Sequence, residues 1–508
     1  MATGLSRVGG LLRDMVVAAV FGAGFTTDAF FVAFTIPNLL RRFFAEGSLT
    51  AAFVPTFTDI YHQQGKAEAR KVANICFTLL LLVMAGVVLL GILGSPLLVK
   101  LIGYGFHGIP GKLELTDQLN RVMFPYIFFV SLLALVTGVL NVQKHFFWPA
   151  VSPLLLNLSM IFSALLLSPL FSEPIFGLAV GVLLGGLLQL VMQAPVLRRH
   201  GFFPRIDLSF RHPAVRKIGS LMLPGLAGVA IYQVNVIVTR LLASFLAEGS
   251  VSYLYYGQRL FEFPQGVFIV SLAQAVLPAF SRQAAGQDWE GFYQSLRFSL
   301  FLILIVTLPA SLGLFFCAEP VFALFFMRGA FDAEAVRQAS LALMAYAPGL
   351  VFVGISRMLV AAFYALKDTR TPVRISFWTL LVNALGGVIL MQLFGYVGLA
   401  LALTLSAAFN SLALAQSLRG KTRLPSVGEF LNLLLRQALP LLLMSLVVFS
   451  IVNRIDWTAS GQHLLQGGIL VLAVVGGILL YAVACLVCRV PEAAEVWRLL
   501  RRKLLRSA

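Results

Sequence analysis

Residues 28–49 read DAFFVAFTIPNLLRRFFAEGSL. Two adjacent arginines, Arg41 and Arg42, lie among leucines and phenylalanines, and Glu46 follows one turn later. The sequence on either side is almost wholly apolar, so a charged knot sits inside what otherwise reads as a membrane span. The rest of the chain settles which reading applies. It has 508 residues, 59% hydrophobic and 12% charged, with a mean hydropathy of +0.91. Soluble domains are about half apolar and about a quarter charged. The composition therefore specifies an all-α polytopic membrane protein.

Fourteen apolar segments are long enough to span a bilayer at about 20 residues each. They cover 5–25, 28–60, 72–102, 118–143, 149–171, 174–197, 215–246, 250–282, 294–325, 336–366, 372–394, 396–418, 430–453 and 463–488. Pro37, Pro264 and Pro348 fall inside them and predict kinks or breaks. Arg13 and Asp14 interrupt the first run, so it is expected to stay as a helix and not to be removed as a signal peptide. Cys76, Cys317, Cys485 and Cys488 all lie in apolar runs, and no disulfide framework or metal site is expected.

The formal net charge of +17 does not point to nucleic acid, because the basic residues fall mostly between apolar runs. With the N-terminus inside, 25 of the 38 Lys and Arg fall in cytoplasmic segments and five, Lys112, Arg121, Arg328, Arg337 and Arg454, in outer ones. This asymmetry predicts that both termini are cytoplasmic. The basic tail carries Trp497 and Leu500 and is expected to lie along the inner surface.

The chain also repeats itself. AAFVPTF at 51–57 resembles QAVLPAF at 274–280, and the pairs Pro55/Pro278, Pro125/Pro348 and Pro149/Pro372 share an offset of 223 residues. The expected organisation is two pseudo-symmetric six-helix lobes, 1–200 and 213–420, joined by a linker at 201–212. A helix pair (421–488) and an amphipathic tail (489–508) follow. An even helix count gives both lobes the same orientation and places a site near the midplane between them.

Eight basic residues belong to neither loop set: Lys100, near a helix end, and seven arginines, Arg7, Arg13, Arg41, Arg42, Arg240, Arg259 and Arg357. The same helices hold only four acids, Asp14, Asp28, Glu46 and Glu262. A charge at mid-bilayer costs at least ~2.5 kcal/mol. The surplus is most simply accommodated by a water-filled cavity that receives an anion, and guanidinium forks suit phosphate. Arg42 and Glu46 are four apart and are expected to pair, leaving Arg41 to meet the anion. Arg259 and Glu262 are three apart and can pair likewise. Arg13 and Asp14 are adjacent, a spacing at which helical side chains do not normally face each other. Arg240 is expected to be structural. Asp28 reads either as a helix-start acid favoured by the macrodipole or as a site residue. No P-loop, HExxH, GxSxG or aspartate-rich pair is present in the sequence, which argues against an enzyme.

The stretches SRVGGLLRD (6–14), FGAGFTTDAFFVAFTIPNLLRRFFAEGSLTAAFVP (21–55), SVSYLYYGQRLFEFPQGV (250–267) and FYALKDTRTPV (363–373) closely resemble the MurJ (MviN) family of bacterial lipid II flippases. That family lies within the multidrug/oligosaccharidyl-lipid/polysaccharide exporter superfamily. The resemblance implies fourteen helices in two lobes and a location in the bacterial cytoplasmic (inner) membrane. It implies lipid II as substrate, cell-division or elongation machinery as partners, and no cofactor. It places substrate-binding residues on Arg7, Arg13, Asp28, Arg41, Arg42 and Arg259, with Asp14, Glu46, Glu262 and Arg357 in support. The alternatives are a flippase for another lipid-linked oligosaccharide or a multidrug/cation antiporter. Gln258 stands where some relatives have Asp, and Asn235 and Asn383 offer no acid for the sodium site of others. A sodium site is therefore not expected. The missing short leader before the first Ser-Arg is a further departure.

Overall fold

A computed structural model describes residues 2–42, 49–459 and 462–490. All the regular elements among them are helical. The first ten are α1 (Ala2–Phe21), α2 (Phe25–Arg41), α3 (Leu49–Gln63), α4 (Gly65–Leu93), α5 (Ser95–Ile102), α6 (Lys112–Met123), α7 (Tyr126–Val142), α8 (Phe147–Phe162), α9 (Ile175–Arg199) and α10 (Pro213–Ser244). Then come α11 (Ser250–Pro264), α12 (Val270–Ala285), α13 (Trp289–Phe316), α14 (Ala318–Phe326), α15 (Ala333–Tyr346), α16 (Gly349–Ala365), α17 (Arg370–Arg419), α18 (Val427–Val452) and α19 (His463–Val487).

Ten helical stretches among the described residues are long and apolar enough to cross a membrane. The short helices α2 and α3 and the charge-bearing α1 are not among them. One of the ten, α17, carries two of the expected segments: at Gly395 the backbone takes φ 56, which a side chain would strain, and the helix direction breaks. Proline shapes the others as the sequence suggests. Pro125 and Pro348 cap α7 and α16, and Pro264 ends α11 at a wide π-type turn, Gln265–Ile269.

The 223-residue offset reappears in the helix bounds. Pro125 and Pro348 each open a helix of 17 residues. Leu93 and Phe316 end α4 and α13, and Ser95 and Ala318 start α5 and α14. Lys144 and Lys367, also 223 apart, both take left-handed backbone just past a helix end, at φ 63 and 58.

The chain forms two compact units, Met1–Ser252 with Arg328–Phe331, and Tyr253–Met327 with Asp332–Ala508. The first unit runs through Gly249–Ser252 and so includes residues 201–212, the expected linker. In the first unit α10 shares a core with α3, α4 and α7: Ala214 and Ile218 pack with Phe53, Phe57, Val72 and Leu135. Residues 328–331 belong to this unit through backbone contact. Ala330 N–H donates to Ala19 O at 2.8 Å. A Cβ on Gly329, where φ is 57, would lie 2.2 Å from that same carbonyl oxygen. In the second unit Tyr481 of α19 donates to Gln437 Oε1 of α18 at 2.7 Å and lies 3.2 Å from Ile305 O of α13.

Candidate functional site

In the first unit α1 and α8 meet closely enough that a Cβ on Gly9 would lie 2.7 Å from Leu154. Arg13 points into this contact and is buried. Its Nη2 donates to Asp14 Oδ1 at 2.7 Å, its Nε to the same oxygen at 3.1 Å, and its Nη1 to Asn157 Oδ1 at 3.2 Å. Adjacent helix positions diverge by about 100°, yet the long, flexible arginine stem spans that angle where a short side chain could not. Asn157 in turn donates to Ser6 O at 3.2 Å, which fixes the turn that carries Arg7. Arg7 itself is exposed.

Arg41 and Arg42 lie at the end of α2, where cations complement the helix dipole. Both are half-buried, and Arg41 Nε donates to Asn38 Oδ1 at 3.1 Å. Glu46 lies outside the described residues, so its expected pairing with Arg42 does too.

Asp28 opens α2 and is 1% exposed. Its Oδ2 accepts from Lys112 Nζ at 3.0 Å and from Gly249 N at 2.8 Å. Its Oδ1 accepts from Ser252 N at 2.9 Å and Ser252 Oγ at 2.7 Å. Four donors fill the acceptor capacity of a carboxylate. Lys112 is equally buried, and its ammonium lies 4.5 Å from the Phe106 ring centroid and 5.5 Å from that of Phe25. The structure thus places Asp28 in a closed polar node of the first unit. Sequence reasoning counted Lys112 as an outer-loop charge. It lies 84 residues from Asp28, and no local pattern announces the pair. The one available signal was Asp28 itself, an acid in an apolar helix with no cation near it in sequence.

In the second unit Arg259 Nη1 donates to Glu262 Oε2 at 3.3 Å, and its guanidinium lies 5.7 Å from the Tyr255 ring centroid. Gln258 Nε2 donates to Glu262 Oε1 at 3.3 Å. The amide thus supplies a donor where a carboxylate would face another carboxylate. The Arg259 and Glu262 side chains are 35% and 34% exposed, so this pair is open where the Asp28 node is closed. Arg357 is exposed on α16. Asn383 is buried and Asn235 half-buried, and no group of three or more His, Cys, Asp or Glu among the described residues could hold a metal ion.

The charge accounting changes accordingly. Asp14, Asp28 and Glu262 each hold a cation, and for Asp28 that cation is a lysine outside the seven arginines. Asp28 therefore does not offset the charge of the arginines. Guanidinium groups of this kind suit anions.

A family model described as "Lipid II flippase MurJ" matches residues 17–465. A probable lipid II flippase MurJ of Vibrio cholerae is 40% identical over 423 residues, covering 82% of this chain and 80% of that protein. The lipid II flippase MurJ of Burkholderia cenocepacia is 36% identical over 459 residues, 89% of each. Among solved structures, a lipid II flippase MurJ in an inward closed conformation matches with a TM-score of 0.79 at 28% identity, covering 96% of this chain and 98% of that one. An inward-facing multidrug resistance MATE transporter matches at 0.66 and 15% identity, a likeness of fold alone.

Proposed function

The chain belongs to the lipid II flippase MurJ family, and we propose that it moves lipid II, the undecaprenyl-pyrophosphate-linked peptidoglycan precursor, from the inner to the outer leaflet of the bacterial cytoplasmic membrane. The observation that carries this reading is 40% identity to a probable lipid II flippase across four-fifths of both chains. In this proposal the chain crosses the membrane fourteen times with both termini in the cytoplasm. The step is transport by alternating access and makes or breaks no covalent bond.

Arg7, Arg13, Arg41, Arg42 and Arg259 are the residues proposed to meet the pyrophosphate, with Asp14, Glu46, Glu262 and Arg357 in support. Their chemistry favours the assignment: planar guanidinium forks match phosphate oxygens in pairs, and a cationic surplus in apolar helices is stable only beside water or an anion. Asp28 acts in this scheme by holding Gly249–Ser252 in place, its four acceptor positions being occupied. The prenyl chain stays in lipid. An inside-negative potential favours outward movement of the headgroup by ~2.3 kcal/mol per charge per 100 mV. It equally favours return of the empty cationic site.

A multidrug/cation antiporter would present unpaired acids to its cargo, whereas the described acids of these helices are engaged by cations. The test is replacement of an essential lipid II flippase by this chain, with lipid II exposure measured at the outer leaflet. Growth with normal exposure supports the reading. Failure despite membrane insertion, together with movement of another polyprenyl-pyrophosphate oligosaccharide, would reassign the cargo.

A further inference from the structure

The segment joining α9 to α10 belongs to no helix, yet its path is held at each step. Gly201 turns the chain at φ 76. Phe202 is buried against Phe57 and Tyr61, with Lys66 Nζ 5.9 Å from its ring centroid. The backbone then climbs α4: Arg205 N donates to Asn74 Oδ1 at 3.0 Å, and Asp207 N to Thr78 Oγ1 at 2.9 Å. Asp207 Oδ1 accepts from Ser209 N at 3.0 Å and turns the chain back. The descent ends where His212 Nε2 meets Glu68 Oε1 at 2.8 Å. His212 Nδ1 accepts from Ala214 N at 3.2 Å, so the proton on Nε2 is the one shared with Glu68. From Glu68 to Thr78 the strap covers about 15 Å of helix axis.

That climb crosses a boundary in α4. Residues 65–71 read GKAEARK, and no charged residue then occurs before Lys100. At the tip, Ile206 is 83% and Leu208 65% exposed, and both lie beside this apolar stretch. Arg205 and Arg211 flank the tip and are exposed. Asp207 between them is a carboxylate, held below the usual range by hydrogen bonds from Ser209 and then by Lys71, and it leaves the two arginines as the net charge of the tip. The His145 ring lies tilted against that of His200, with centroids 4.1 Å apart, which brings the neighbouring turn with exposed Phe146, Phe147 and Trp148 to the foot of the strap.

An irregular backbone cannot lie in hydrocarbon, where its polar groups go unmet, and two large exposed aliphatic side chains are unfavourable in bulk water. The level that satisfies both is the headgroup region, where aromatic side chains also concentrate. We propose that residues 201–212 form a lipid-binding wedge: Ile206 and Leu208 enter the boundary of the acyl chains, and Arg205 and Arg211 hold the phosphates of anionic phospholipids. The wedge is independent of what the protein transports.

The test uses the full chain in vesicles of phosphatidylcholine with phosphatidylglycerol. A spin label at Ile206→Cys, in a Cys488→Ser background, is read by collision with oxygen and with a water-soluble nickel chelate. The expected label meets oxygen more often than the chelate, at headgroup depth. Phosphatidylglycerol retained on the purified protein is then measured by native mass spectrometry for R205Q/R211Q. Because Arg205 holds Asn74 through its backbone, the strap stays seated in this variant. Retention should fall by about fivefold per arginine. A label as open to the chelate as a water-facing site overturns the wedge, and unchanged phosphatidylglycerol retention overturns the headgroup assignment.

Discussion

Asp28 and Glu262 are both acids in apolar helices, and their surroundings differ in kind. Asp28 is 1% exposed, and four donors from two separate stretches of chain fill its oxygens. Glu262 is a third exposed and holds Arg259 and Gln258 of its own helix at 3.3 Å each. A closed charge pair cannot release its partner without leaving a bare charge in a dry interior. An open one can exchange its partner for a ligand at small cost. The first arrangement therefore suits a fixed point of the fold, and the second suits a residue that meets cargo.

The largest effect should come from opening the closed node. Asp28→Ala leaves Lys112 buried and should cost roughly 3–5 kcal/mol, read from denaturation in detergent micelles. Adding Lys112→Met should restore a large part of that loss, because removing both charges removes the penalty. If Asp28→Ala unfolds like the parent, the node is not a fixed point. Arg13→Ala removes from the α1–α8 contact the guanidinium that donates to both Asp14 and Asn157. A smaller loss of about 1–3 kcal/mol should appear in the same assay.

Breaking the open pair should barely register on stability. Glu262→Gln should shift it by less than about 1 kcal/mol, while translocation assays should show changed cargo handling through Arg259. A change in stability as large as that of Asp28→Ala would erase the contrast. The smallest effect should be on pH dependence outside the membrane. Lys421, then Thr371, hold the Asp368 carboxyl below its ordinary range, so its folded pKa is depressed. Its contribution is present above the unfolded pKa of about 4 and is lost as pH falls below that. Asp368→Asn should flatten acid unfolding in that window, and an unchanged acid limb would show that the pair adds nothing.

The sequence carried the architecture further than the node. The repeat was legible because proline fixes helix starts: Pro125 and Pro348 stand 223 residues apart and each opens a helix of 17 residues. The Arg259–Glu262 pair was legible because three residues bring side chains to one helix face. The partner of Asp28 was not, because it arrives from another helix 84 residues away. Arg13–Asp14 was underrated because spacing arguments treat side chains as short. Gly249–Ser252 and Arg328–Phe331 join the first compact unit through bonds of their backbone amides, which composition does not encode.

The central claim is that arginines of these helices, Arg41 among them, receive a lipid-linked pyrophosphate. Lipid II translocation by the purified chain in proteoliposomes, compared with Arg41→Ala and Arg41→Lys, tests it most directly. The account predicts translocation by the parent chain, a loss of at least about tenfold in Arg41→Ala, and partial activity in Arg41→Lys, where charge remains but the fork is gone. Translocation at the parental rate by Arg41→Ala would contradict it.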